Sequence, residues 1–399
     1  MPSSYMKSDE SMKLLIVSAD PRMTLGYSKV IQKIANYLAS RSVEVVMYSL
    51  NYRKQDELPN VYIDPRIKLI PCPDPKSFGF DMFRSKVDDE RPDYIMVYAP
   101  VNVVYNYVKT LDASHKVIVY LDICQRWSDT LIMEQLKTRV HHWFVFLDCW
   151  AKYLVDDMKF DSSKVSVIEH GINFDELKMG EDTRTKKEFK VVNMNRNTIR
   201  KNWAATLSGF VEFLSRHNFD PSIKLYVSCG TTGSDTHCDI EQHVYTEFAK
   251  RGLNYMDYTS HFLLNTKPLQ LTKEELNRVY LESDAGLNTC YSEGFGLTCV
   301  EHAYFDKPQI VTDIPTFRDI FGDDAIFIKP AAVTTYTGTQ ELPGERAVVD
   351  PMAVADALDY CYKGKFVVNT REKIFKRFAW VNIYKQLDRM IDILKDGSL

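Results

Sequence analysis

The chain has 399 residues, more than one ordinary domain holds, so two domains of similar size are expected. Its 45% hydrophobic and 12% aromatic residues are enough for two cores. A formal charge of −4, with acids and bases mixed along the chain, argues against a protein dominated by contacts to nucleic-acid phosphates, and no nucleic-acid partner is expected.

The opening stretch "MPSSYMKSDESM" is polar and lacks the apolar core of a signal peptide. No apolar run has the length of a bilayer span, so a soluble, cytoplasmic protein is expected, with peripheral membrane contact left open. Eight cysteines, at 72, 124, 149, 229, 238, 290, 299 and 361, form no CxxC pair. Their scatter fits free thiols in a reducing compartment. His237-Cys238 near Cys229 matches no usual zinc spacing.

From Met12 onward, short apolar runs alternate with amphipathic ones. "KLLIVSAD" (13–20) reads as a buried strand and "YSKVIQKIANYLAS" (27–40) as a helix. The runs at 44–50, 67–72, 93–100, 116–123 and 142–148 read as strands, with helices at 128–140 and 149–159. A polar, lysine-rich break at 180–190 interrupts the series, which then restarts. Strands are expected at 190–195, 223–229, 257–264, 285–290, 308–313 and 325–330. Helices are expected at 203–217, 238–252, 272–283, 297–305, 351–362 and 370–396. "TTYTGTQELPGE" (334–345) reads as a loop of low complexity. This rhythm predicts an α/β chain of two Rossmann-like, doubly wound domains facing a central cleft. Ligands of such sheets bind at the carboxyl ends of the strands.

Neither domain has GxGxxG after its first strand, which disfavours a nicotinamide-dependent dehydrogenase. In the first domain the strand leads to a lone Gly26, followed by Tyr27. Such a glycine can be a capping turn or a helix start left open for an anion. In the second, "NMNRNTIRKNW" (193–203) sets Arg196 and Lys201 five residues apart, with Arg200 beside them. Arginine and lysine together suit a diphosphate, although a solvated basic loop would read the same. "YSEGFGLTCVE" (291–301) turns through Gly294-Phe295-Gly296 into a helix beginning near Leu297. It places Glu293 at a strand end and Glu301 one helical turn inside, where both could face the hydroxyls of one bound molecule. Helix capping by Glu293 and a solvated Glu301 is the plainer alternative.

Glu293-Gly-Phe-Gly-Leu-Thr-Cys-Val-Glu301, followed by Lys307-Pro308 and Val311-Thr312-Asp313, resembles the signature of the retaining glycosyltransferases of family 4. "MNRNTIRKN" is similar to that family's Gly-Arg…Lys-Gly loop, with Asn195 in place of the glycine, and "VIEHGINFDEL" (167–177) resembles its interdomain segment. The resemblance implies the GT-B fold. It implies an acceptor-side domain at 1–178, a nucleotide-sugar domain at 186–379, and a last helix, 380–399 with Trp380, returning to the first domain. It also implies the roles. Arg196 and Lys201 would neutralise the leaving diphosphate. Glu293, with the backbone of Phe295, Gly296 and Leu297, would hold the donor sugar, beside Thr298, and Glu301 would hold the ribose. In the first domain Gly26 and Tyr27 would approach the phosphates. Asp122 stands in "YLDIC", where many relatives carry a histidine near the sugar.

The implied activity is that of a retaining hexosyltransferase, with a nucleotide sugar as co-substrate and a glycan or other hydroxyl compound as acceptor. GDP-mannose is placed ahead of UDP-glucose, because mannosyl transfer is frequent in the family. The sequence has no Asp-x-Asp, so metal-independent turnover without a further cofactor is expected. A sugar-nucleotide epimerase, a phosphorylase or a non-catalytic nucleotide-sugar-binding protein on the same scaffold is the alternative.

Overall fold

The computed structural model describes residues 11–23, 26–51, 61–72, 78–180, 182, 184, 188–231, 236–268 and 271–396. The first ten residues, and positions 181, 183 and 185–187 of the lysine-rich break, lie outside them. The chain divides into two compact units. One comprises 1–123, 129–170 and 383–399, and the other 124–128 and 171–382. The division therefore falls at His170, ahead of the lysine-rich break.

In the first unit, β1 (Lys13–Ala19) leads through α1 (Gly26–Ser40) to β2 (Glu44–Leu50) and β3 (Lys68–Pro71). There follow α2 (Phe80–Glu90), β4 (Tyr94–Pro100), α3 (Val101–Val108), β5 (Val117–Asp122), α4 (Thr130–Leu136), β6 (His142–Val145), α5 (Asp148–Lys152) and β7 (Val165–Val167). Among the described residues these strands make one sheet in the order β3-β2-β1-β4-β5-β6-β7, parallel at every pairing. Leu14, Leu15, Ile16 and Val17 are all fully buried, as a strand covered on both faces requires. The helices α2 and α3 had no counterpart in the predicted series. The apolar residues of α2 are diluted by charge, with only Phe83 and Val87 buried. "VNVVYNYV" of α3 follows β4 directly and continues its apolar run. Predicted helix 128–140 shrinks to α4, and 149–159 becomes α5 followed by a π turn at Tyr153–Asp157.

In the second unit the order is β8 (Phe189–Met194), α6 (Trp203–Arg216), β9 (Ile223–Ser228), α7 (Ile240–Ala249), β10 (Phe262–Asn265), α8 (Lys273–Leu281) and β11 (Ala285–Asn288). Then come α9 (Leu297–Ala303), β12 (Gln309–Thr312), α10 (Pro315–Phe321) and β13 (Ile326–Ile328). The sheet runs β10-β9-β8-β11-β12-β13, again parallel. Its core packs Trp203, Leu207, Phe210, Val211 and Leu214 of α6 against the strands. The predicted loop at 334–345 is in fact part of an antiparallel hairpin, β14 (Ala332–Tyr336) with β15 (Gly344–Val348). β14 is exposed almost throughout, so its polar residues hide a strand whose apolar partners lie on β15.

The chain closes with α11 (Pro351–Tyr362), α12 (Arg371–Phe378) and α13 (Trp380–Lys395). The predicted helix 370–396 breaks at Ala379, which is extended. Ile172 takes that backbone as a partner, its N–H donating to Phe378 O at 2.8 Å. From Ile383 onward α13 belongs to the first unit, burying Ile383, Leu387, Met390, Ile391 and Leu394 along one helical face. Tyr384 stacks on Tyr37 with centroids 4.1 Å apart, and Tyr94 Oη donates to Leu394 O at 2.9 Å.

A Cβ on Gly171 would lie 2.3 Å from the Trp380 ring. Gly171→Ala is expected to lower stability by about 1–3 kcal/mol, because the indole would have to shift to make room for the methyl group. Denaturant unfolding checks this: the midpoint falls, and it is partly restored by Trp380→Leu in the same chain.

Candidate functional site

In the second sheet the strand order reverses between β8 and β11, the point at which such sheets bind ligands beyond the carboxyl ends of their strands. The "NRNTIRKN" and "YSEGFG" segments leave these two strands. Hydrogen bonds lock them together. Asn202, left-handed at φ 49°, donates through Nδ2 to Thr289 O at 3.2 Å, and Thr289 Oγ1 donates to Asn202 O at 3.0 Å. Tyr291 N–H donates to Arg200 O at 2.8 Å. Asn197 is fully buried and exchanges hydrogen bonds with the Cys238 backbone, at 2.7 and 2.9 Å.

This framework delivers three charges to one point. Arg200 Nη1 donates to Glu293 Oε1 at 2.9 Å and to Ser292 O at 2.7 Å, while Lys201 Nζ donates to Glu293 Oε2. Glu293 and Lys201 are 6% and 8% exposed, so each polar end is satisfied by its partner rather than by water. Burial alone would raise the Glu293 carboxyl; the Arg200 and Lys201 charges outweigh it and hold the group down at about 2. Two cations around one anion leave the cluster positive, with Lys201 and Glu293 buried and Arg200 partly exposed.

Of the residues expected here, Lys201 and Glu293 meet directly. Thr298 donates through Oγ1 to Met194 O at 3.2 Å, tying α9 to the end of β8. Gly296 holds φ 82° before α9, and a Cβ there would lie 2.9 Å from the Phe317 ring, so glycine is required. Leu297 is the first residue of α9 and is half-buried. Phe295 turns its ring into the core, edge-on to Phe378 at 5.2 Å, which leaves its backbone for the turn. Glu301 accepts from Tyr280 Oη at 2.8 Å through Oε2. Arg196 is exposed, and its carbonyl accepts from Trp203 Nε1 at 3.0 Å.

In the first unit Tyr27 Oη donates to Asp122 Oδ2, which joins two expected residues at the exit of β5. Gly26 starts α1 and is exposed. Beneath them Tyr27 packs on Tyr98 at 4.6 Å and Tyr98 on Tyr120 at 4.8 Å, and Tyr120 Oη bonds His170 Nδ1 at 2.8 Å. Burial holds His170 down at about 3, so it is neutral at physiological pH.

Two residues escaped the sequence reading, and a third, Arg200, was named there only as one of three candidate bases. Arg200 is the guanidinium on Glu293; it was visible beside Lys201, but family spacing favoured Arg196. Gln125, whose Oε1 accepts from Ser292 Oγ at 3.1 Å, and Glu341, whose Oε1 accepts from Arg200 N–H at 2.9 Å, come from distant segments that no local pattern links to the site. Beside the loop a cavity of about 390 Å³ opens at the ends of β9 and β10, lined in part by Asn197, Cys229, Cys238, Leu264 and Asn265. Among the described residues no three His, Cys, Asp or Glu side chains converge as a metal site, and no helix is long and apolar enough to cross a membrane.

Residues 266–337 match the family described as "Glycosyl transferases group 1". No curated protein matches the chain at a significant level. Among solved structures, sucrose-phosphate synthase from Thermosynechococcus elongatus is 13% identical, with a TM-score of 0.72 over 97% of this chain and 100% of that one. Anabaena HepE, solved in complex with UDP and glucose, is 12% identical, with a TM-score of 0.68 over 96% and 99%. The UDP-forming trehalose-phosphate synthase from Burkholderia vietnamiensis is 12% identical, with a TM-score of 0.67 over 98% of each chain. At these identities the likeness is one of fold. The two Rossmann-like units are those of GT-B glycosyltransferase structures, and the group 1 match takes in Glu293 and Glu301 while the 196–201 loop lies outside it.

A carboxyl depressed by its partners stabilises the fold above its ordinary value of 4.5, and that contribution is lost as pH falls through about 2. The unfolding free energy should therefore decline between pH 4.5 and 2 by a component that Glu293→Gln lacks. At pH 7 the variant should be less stable by about 3 kcal/mol, since both cations lose their counter-charge. Urea titrations at a series of pH values measure both effects.

Proposed function

We propose that this protein is a glycosyltransferase that moves a hexose from a nucleoside-diphosphate sugar to a hydroxyl acceptor. The observation that carries this reading is the Glu293 carboxylate set between Arg200 and Lys201 at the reversal of the second sheet, inside the segment whose family match is to glycosyl transferases. In the reaction the sugar–phosphate bond breaks and negative charge grows on the diphosphate. Lys201 and Arg200, with Arg196 on the same loop, are placed to receive that charge. Pre-pairing with Glu293 keeps Lys201 oriented before the donor arrives, and the carboxylate can then accept hydrogen bonds from the sugar hydroxyls. Glu301, oriented by Tyr280, serves the ribose.

The cavity of about 390 Å³ next to Asn197 suits the nucleoside base in size and position. UDP-glucose is favoured over GDP-mannose as donor, because the fold relatives include proteins solved with UDP or described as UDP-forming. In the first unit the Tyr27–Asp122 pair is assigned to the sugar and acceptor side. Retention of anomeric configuration is assigned through the likeness to family 4. Charge neutralisation by side chains makes the reaction metal-independent. The eight free cysteines fit a cytoplasmic setting.

Lys201→Ala is expected to reduce glucosyl transfer from UDP-glucose by about 10²-fold or more, with an unchanged circular dichroism spectrum. Wild-type turnover should persist in EDTA. Turnover equal to wild type in the variant would remove the charge-neutralising role. Activity abolished by EDTA and restored by manganese would remove metal independence.

A further inference from the structure

The hairpin β14–β15 has no part in the chemistry proposed above, yet it is bonded to the site in several places. Glu341 lies in the connection between its strands. Oε1 accepts the Arg200 backbone N–H at 2.9 Å, and Oε2 accepts from Arg346 Nη2 at 3.0 Å. Arg346 is buried, its guanidinium 3.3 Å from the centroid of the Tyr336 ring and 5.4 Å from that of Tyr291. Tyr291 closes the circuit: its N–H donates to Arg200 O at 2.8 Å, and its carbonyl accepts from Ala347 N–H at 2.9 Å. A second tether runs through Gln125, whose Nε2 donates to the carbonyls of Leu342 and Pro343 while its Oε1 accepts from Ser292. At Gly344 the strand passes so close that a Cβ would lie 2.7 Å from Arg126 O.

A carboxylate beside a cationic site weakens its pull on an anionic ligand unless it has its own counter-charge. Arg346 supplies that charge, so Glu341 adds a strong acceptor without a net negative charge. The group it accepts from is the backbone of the 199–201 turn, the same turn that aims Arg200 and Lys201 at Glu293. We infer that Glu341 is a positioning residue: through the Arg200 N–H it fixes this turn with both cations on Glu293, making the hairpin a working part of the site. For its ligand-binding consequence the inference rests on the nucleotide-sugar reading; its geometric core does not.

The experiment is a pair of double-mutant cycles on the full chain. In the first, UDP affinity is measured by calorimetry for wild type, Glu341→Ala, Arg200→Ala and the double variant. Glu341→Ala should weaken UDP binding about tenfold, the loss expected for one charge-assisted hydrogen bond. Once Arg200 is alanine it should cost less than in the wild type, the remaining loss coming through Lys201 on the same turn. Glu341→Gln, which still offers an acceptor to the N–H, should restore most of the affinity. In the second, melting temperatures are compared for Glu341→Ala, Glu293→Gln and their combination; the losses should be less than additive. Additive losses in the second cycle would overturn the positioning role. If no variant, wild type included, binds UDP, the nucleotide-sugar reading fails, and the melting cycle alone decides for or against Glu341.

Discussion

A carboxylate with 6% of its surface exposed survives as an anion only because two cations reach it, and the second unit is arranged around that pairing at Glu293. The partners come from loops about ninety residues apart in sequence. They meet because β8 and β11 are neighbours at the one point where the strand order reverses. Each supporting feature answers a need of the pairing. Asn202 and Thr289 bind the loop bases together, and Gly296 lets the chain turn away under Phe317. The hairpin braces the turn that carries the cations. Such a buried triad contributes little net stability, because its dehydration offsets its attraction. Its worth lies in orientation: the charges stand ready before any ligand arrives, which is the condition for stabilising charge that develops only during a reaction.

The first unit contributes a different kind of surface. Tyr27 and Asp122 meet at the exit of β5 above a run of tilted tyrosine rings that ends on a neutral, buried His170.

Much of this was legible from residues alone. Strands covered on both faces have to be continuous apolar runs, so β1, β4, β5 and the central strands of the second unit stand out in the sequence, and their rhythm gives the fold. Glu293 stood out because a glycine turn between strand and helix is a local pattern, and Lys201 because its spacing from Arg196 resembles a family loop. Other features were hidden for physical reasons. α3 follows β4 without a polar break, so the change of period is masked. β14 exposes nearly its whole length and reads as loop. That Arg200 pairs with Glu293 was hidden because spacing along the chain says nothing of which guanidinium folds inward. Gln125 and Glu341 act through contacts spanning more than a hundred residues, which only the packed chain discloses.

The central claim is that the Arg200–Lys201–Glu293 cluster receives the diphosphate end of a nucleotide sugar. A crystal structure of the protein soaked with UDP-glucose tests it most directly. The account predicts diphosphate oxygens within hydrogen-bonding distance of Lys201 Nζ and an arginine of the same loop, the uracil in the cavity beside Asn197, and glucose hydroxyls on Glu293. A nucleotide bound elsewhere, with the Lys201–Glu293 pair untouched, would contradict it.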